Sequence, residues 1–177
     1  MIQKEKIIDK QRLFTGNYLS LETWKTHLSD TISATREIVI APNAVGIVPV
    51  DENRQIHLVR QARPAVGEIL LEIPAGLIDA GESPEQAARR ECSEEINLIP
   101  GNLRKILTYY HAEGYSTGVM TLFLGTELAP CHSQQNDQDE VLEHIAVPLE
   151  QAANWIRQGK FKDSKSMLGI LFAIDIL

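Results

Sequence analysis

The chain has 177 residues, 44% of them hydrophobic, and a formal net charge of −7. That is enough apolar material for one folded domain with a small extension, and too much for a disordered chain. The acidic balance excludes nucleic-acid binding through a broad basic surface, while leaving room for an anionic small molecule held by a few arginines and a metal ion.

The N-terminus carries scattered charges and no apolar stretch, unlike a signal peptide. Residues 7–40 mix apolar and polar positions in short alternations and predict about three strands. Ala41, Pro42 and Asn43 break the pattern. Residues 44–50 form a nearly continuous apolar run, as expected of a buried strand. Residues 51–54 read as its turn, with residues 55–61 pairing back as a hairpin. His57, within that strand, reads as a packed or surface residue rather than a ligand. Arg60 and Arg63 close the strand, where binding groups gather. In residues 70–76, Leu-Leu-Glu-Ile-Pro-Ala-Gly, Pro74 and Gly76 make the backbone irregular, so its polar groups need partners.

A helix begins at Ser83. Serine is a good N-cap, Pro84 suits the first helical position, and Gln86 completes a capping box. Asn97 tolerates the left-handed conformation that ends helices. Ala88, Cys92 and Ile96 recur every four residues as an apolar stripe. Glu91 and Glu95 share a face, with Glu94 adjacent. Carboxylates this close repel unless positive charge sits among them. Solvent counterions, Arg89 and Arg90, or a hard divalent cation such as Mg²⁺ could supply it.

Strands are expected at residues 103–110 and 119–128, joined by a polar, glycine-bearing connection at 111–118. Residues 130–139 are polar, and the adjacency of Cys131 and His132 within them is not a metal-ligand pattern. Two cysteines without such spacing imply no disulfide framework, so a reducing, cytoplasmic compartment is expected. A strand at 141–147 precedes helices at 149–158 and 165–176. The apolar C-terminal run is too short to span a bilayer and contains Asp175, so no membrane partner is expected.

The central pattern is Gly76, five residues, Glu82, seven residues, then Arg90-Glu91-Cys92-Ser93-Glu94-Glu95-Ile96-Asn97-Leu98. It resembles the Nudix box: Gly, five residues, Glu, seven residues, Arg-Glu, an aliphatic residue, any residue, Glu-Glu, any residue, Gly, aliphatic. Three acids on a helix are common. The glycine, the outlying glutamate and the Arg-Glu…Glu-Glu run at these spacings are specific together. Asn97 stands where the box has glycine, and Cys92 where it has an aliphatic residue. The likeness extends from Phe14 to Ala152 and is to the ADP-ribose and nucleoside diphosphate sugar pyrophosphatase branch of the family.

That resemblance implies an α/β (α+β) fold, a mixed sheet sandwiched between helices, with an N-terminal antiparallel β-sheet extension. The extension would be residues 1–41, serving dimerisation and the substrate site, and the hydrolase domain residues 42–177. It further implies an Mg²⁺-dependent homodimer, with Mn²⁺ as an alternative ion, that splits a nucleoside diphosphate sugar. The Ala75 carbonyl, Glu91 and Glu95 would be metal ligands, and Glu82 would orient the loop or Arg90. Glu94 would bind metal, be held by Arg90, or take the water's proton.

An acidic loop before the late strand would supply Glu140 as a further ligand. The position aligned with the general base is Gln138, which cannot take a proton, so Asp137, Asp139 and Glu140 stand as alternatives. Arg36, Arg63, Leu77 and Gly114 would contact substrate. Glu113 and Gly118 depart from the branch, where a proline and often an acid stand, so a nucleotide sugar other than ADP-ribose stays open. So do a non-hydrolytic nucleotide-sugar sensor and an enzyme for nucleoside triphosphates or capped RNA.

Overall fold

The computed structural model describes residues 2–29, 31–131 and 141–177. It divides into two compact units, one formed by Met1–Asn43 and Tyr110–Val119, the other by Ala44–Tyr109 and Met120–Leu177.

The first unit is a three-stranded antiparallel sheet of β1 (Lys6–Thr15), β2 (Ser20–His27) and β3 (Ser33–Ile40), in that order. Every residue of β1 is exposed. Arg12 on β1 and Glu22 on β2 pair across the strands, with Trp24 of β2 bonding the same carboxylate. Glu22 on β2 accepts from Arg12 Nη2 at 2.8 Å and from Trp24 Nε1 at 2.7 Å. The segment 110–119 joins the edge of β3, where Val39 N–H donates to Tyr115 O and Thr117 N–H donates to Val39 O.

The second unit begins with β4 (Ala44–Pro49), buried at every residue. The expected hairpin does not form around it. β4 lies antiparallel to β7 (Ala75–Leu77) and parallel to β9 (Val119–Pro130), with β8 (Leu98–Tyr110) beyond β9. β5 (Gln55–Arg63) instead pairs with β6 (Glu68–Glu72) and β10 (Leu142–Pro148) in a second sheet. Among the described residues, the hairpin is reduced to the single bridge between Val50 and Ile56. The reason is burial. A strand apolar on both faces needs neighbours on both edges and cover above and below, which a two-stranded hairpin cannot give. β8 also starts at Leu98, five residues before the strand expected there.

Alternate residues of β4 face opposite layers. Val45 and Ile47 pack with Ala87, Ala88, Cys92 and Ile96 of α1 (Pro84–Ile96). Val48, and Val50 just beyond the strand, pack with α2 (Leu149–Arg157) and α3 (Ser164–Ile176). Helices therefore flank the mixed sheet on both sides. The approach of α3 is close, because a Cβ on Gly169 would come within 2.7 Å of Val48 Cγ2. Among the described residues, no helix is long and apolar enough to cross a membrane.

His57 is packed rather than free. Its Nδ1 lies 2.9 Å from His144 Nε2 on β10, and its Nε2 lies 3.6 Å from Asp51 Oδ2. Burial pushes both imidazoles below the ordinary value of 6.5; Asp51 partly offsets this for His57, and His57 adds to it for His144. The unfolded chain therefore binds more protons than the folded one in this range. The pair's contribution to stability is complete above 6.5 and is lost as pH falls from there through the lower folded-state values. Melts followed by circular dichroism from about pH 7.5 to about 5.5 should fall more steeply for the wild type than for His57→Gln/His144→Gln. Equal slopes would exclude the pair as the source.

Candidate active site

The site is built on α1 and the strand-loop that precedes it. The Ser83 side chain accepts from Gln86 N–H while the Gln86 side chain accepts from Ser83 N–H, so the expected capping box is formed. Asn97 ends the helix in the left-handed region, at φ 55 and ψ 33, with its N–H on Ser93 O. Between these ends Ala88, Cys92 and Ile96 are buried, and Glu91 and Glu95 are buried beside them. Burial pushes the Cys92 thiol up to about 12, so it stays protonated and serves as packing.

The two buried carboxylates lie against β7. A Cβ on Gly76 would sit 2.0 Å from Glu91 Oε1, so the box glycine is the space that the Glu91 carboxylate occupies. The Ala75 amide nitrogen lies 3.5 Å from Glu95 Oε1, at the outer limit of a hydrogen bond. The cluster's cation is Arg90. Its Nε and Nη2 donate to the two oxygens of Glu82 at 3.0 Å each. Its Nη1 donates to Glu91 Oε1 at 2.7 Å and Glu94 Oε2 at 2.9 Å. Its Nη2 also donates to the Leu77 carbonyl at 2.9 Å.

Five acceptors on one planar fork lock the arginine in a single orientation. Glu82 raises the Arg90 pKa further, with Glu91 and Glu94 adding to the effect against the opposing cost of burial. Reciprocally, Arg90 holds the Glu82 carboxyl below its ordinary value. Glu82 also accepts from Asp79 N–H at 3.2 Å, so it holds the loop as well as the arginine. Arg89 is turned away, donating to the carbonyls of Pro100 and Gly101.

Three glutamates (Glu82, Glu91, Glu94) thus pair with one guanidinium, with Glu95 one helical turn beyond Glu91. An all-oxygen donor set with excess negative charge suits a hard cation such as Mg²⁺ or Mn²⁺. Among the described residues, no group of three or more His, Cys, Asp or Glu side chains closes into a complete metal site. Glu91 and Glu95 are oxygen donors of the kind such an ion takes. The acids expected to add to it, Asp137, Asp139 and Glu140, lie outside the described residues, as does Gln138.

Of the residues expected to contact substrate, Leu77 is drawn into the Arg90 cluster. Arg63 donates through Nε and Nη2 to both oxygens of Glu72, at 2.8 and 2.7 Å. Arg60 pairs instead with Glu143 across β5 and β10. In the first unit, Arg36 is paired with Glu5, at 2.6 Å from Nη2. Gly114 lies there in open space. Glu72, 1% exposed, was passed over by the sequence reading. Its signal was an acid in the otherwise apolar run Leu70-Leu71-Glu72-Ile73, since a buried charge requires partners.

A family model described as the NUDIX domain matches residues 41–167. An ADP-ribose pyrophosphatase of Bacillus subtilis (strain 168) is 32% identical over 170 residues, covering 96% of this chain and 92% of that protein. An ADP-ribose pyrophosphatase of Mycobacterium tuberculosis (strain ATCC 25618 / H37Rv) is 31% identical over 166 residues, covering 93% and 80%. A solved structure described as an ADP compounds hydrolase superposes with a TM-score of 0.89 at 23% identity, covering 100% of this chain and 96% of that one, which bears on the fold alone. The family match and the identity to these pyrophosphatases over nearly the whole chain lead to one conclusion: the chain belongs to the NUDIX domain family and is a hydrolase of phosphoanhydride bonds.

Proposed function

We propose that the chain hydrolyses the diphosphate bond of ADP-ribose or another nucleoside diphosphate sugar, giving a nucleoside monophosphate and a sugar phosphate. The observation that carries this reading is the pair Glu91 and Glu95, buried against the Ala75–Gly76 backbone, with Glu91 also held by Arg90. The substrate class is supported by the pyrophosphatase relatives, whose likeness runs through both the box and the strands before it.

Mg²⁺ or Mn²⁺, held by Glu91, Glu95, the Ala75 carbonyl and Glu140, would screen the diphosphate charge and acidify a water molecule. Arg63 and Arg36 bind phosphate or the terminal sugar through planar, paired hydrogen bonds. Leu77 and Gly114 border the substrate. Glu94, Asp137, Asp139 or Glu140 accepts the proton as water attacks one phosphorus, and the bridging P–O bond breaks with its electrons leaving on the second phosphate. The exposed Ile7, Ile8, Leu13 and Phe14 of β1 support a homodimer through the N-terminal strands. A monomeric mass with full activity would count against it.

A panel of nucleotide sugars, nucleoside triphosphates and capped RNA, assayed with Mg²⁺ and with Mn²⁺, tests the reading. Turnover is expected on nucleoside diphosphate sugars, with ADP-ribose among them. Tight binding without turnover, or preference for triphosphates, would overturn it.

A further inference from the structure

A second group of metal-type donors lies on the ladder between β5 and β10. His57 stands opposite Ala146 and His144 opposite Val59, so the two histidines are diagonal neighbours across the strands. His57 Nδ1 and His144 Nε2 are 2.9 Å apart. The ring centroids are 5.1 Å apart and the planes differ by 30°, so the rings meet nitrogen to nitrogen.

A third group sets the proton positions. Asp51 Oδ2 lies 3.6 Å from His57 Nε2, which is buried and has no hydrogen-bond partner among the described residues. A carboxylate there favours the tautomer that carries its proton on Nε2, which leaves the Nδ1 lone pair directed at His144. Asp51 is itself fixed, because its Oδ1 accepts from Asn53 N–H at 2.9 Å and from Gln55 N–H at 2.8 Å. A carboxylate behind one imidazole, whose other nitrogen meets a second imidazole, is the arrangement that orients histidine toward a metal ion.

Charge points the same way. Metal ions bind neutral imidazole. Burial holds both rings below the ordinary value of 6.5, so both are neutral at neutral pH. Donor type then selects the ion, since imidazole nitrogen suits Zn²⁺ whereas Mg²⁺ takes oxygen. Two nitrogens on one tetrahedral Zn²⁺ stand about 3.3–3.4 Å apart, given bonds of about 2.0–2.1 Å. The pair has to open by roughly half an ångström to admit the ion, and His144 is on the exposed part of β10. Read alone, His57 carries no such signal, because its partner lies 87 residues away.

We propose that His57 Nδ1 and His144 Nε2 form a binding site for a borderline divalent cation such as Zn²⁺, with Asp51 orienting His57 from behind. The site joins β5 to β10, takes nitrogen donors, and is separate from the carboxylates of α1. Water completes the coordination.

Calorimetric Zn²⁺ titrations of the full chain test it, in excess Mg²⁺ to saturate the carboxylate face. Wild type, His57→Gln, His144→Gln, the double variant and Asp51→Asn are compared, and long-range proton–nitrogen NMR spectra follow the imidazole nitrogens. The wild type should bind one ion per chain, and His57 Nδ1 and His144 Nε2 should be the nitrogens whose signals move. Each histidine variant should weaken binding by about tenfold or more, and Asp51→Asn, which keeps the turn acceptor, by about tenfold. Zn²⁺ should raise the melting temperature of the wild type and leave that of the double variant unchanged. Absence of saturable binding, equal affinity in the histidine variants, or unmoved imidazole signals would each overturn the site and leave a hydrogen-bonded pair only. Should His57→Gln not fold, His144→Gln at its exposed position decides the same question.

Discussion

Glu91→Gln and Glu95→Gln will each lower kcat/KM by roughly two to four orders of magnitude while leaving the fold intact, because several kcal/mol of charge stabilisation are removed. An amide keeps the shape of the carboxylate and one of its acceptors, so packing beside Cys92 and Ile96 is preserved. What it removes is one of the negative charges on this helix face. Stability and function therefore move apart. The melting temperature should stay within about a few degrees of the wild type, since like-charge repulsion is relieved. Binding of Mn²⁺, followed by electron paramagnetic resonance, should weaken in both variants.

Gly76→Ala makes the same point through the backbone. Its Cβ would fall 2.0 Å from Glu91 Oε1, so the carboxylate must leave its seat. The activity loss should resemble that of Glu91→Gln, with ion binding weakened although every acid is still present. Wild-type turnover in all three variants would sink the assignment of this face as the metal site.

Arg90→Met should be the most destabilising exchange in the site, by about 2–4 kcal/mol, because it leaves clustered carboxylates without their counter-charge. The arginine joins Glu82, Glu91, Glu94 and the Leu77 carbonyl, with its side chain 29% exposed. Methionine fills much of the same volume, so the loss reads charge and hydrogen bonding rather than a cavity. Arg90→Lys should recover only part, since a point charge cannot bridge Glu82 and the Glu91–Glu94 pair together.

Urea unfolding at several pH values checks the origin. Arg90 holds the folded-state pKa of Glu82 below 4.5, so the stability it contributes is complete above that value. It is lost as pH falls through the lower folded-state value. The gap between wild type and Arg90→Met should therefore close on acidification. At neutral pH, added Mg²⁺ should narrow the same gap by stabilising the folded state of the variant. An Arg90→Met protein as stable as the wild type at neutral pH would remove Arg90 as the organiser of the site.

Much of the site's helix was legible before the structure. Capping at Ser83 and Asn97, the Ala88–Cys92–Ile96 stripe, and the shared face of Glu91 and Glu95 all depend on residues within about four positions of one another, where helix geometry leaves little choice. The strands were legible as elements but not as partners. Residues 44–50 and 55–61 were read as a hairpin because they adjoin in sequence. β4 instead pairs with β7 and β9, and β5 with β6 and β10. Nothing in the spacing of a fully apolar strand says which edges it will find, because every neighbour buries it equally well.

The sequence by itself determined the family and the reaction class, because the box is a short-range code in which one strand-loop-helix sets every spacing. Tertiary structure alone decided how the acids of the box are held. It placed Gly76 under the Glu91 carboxylate, spread Arg90 over Glu82, Glu91, Glu94 and Leu77, and set Glu72 between Arg63 and Lys165. The last of these contacts spans 93 residues. Such contacts form only where packing brings distant charges into one buried place, and the cost of burial then selects the partners.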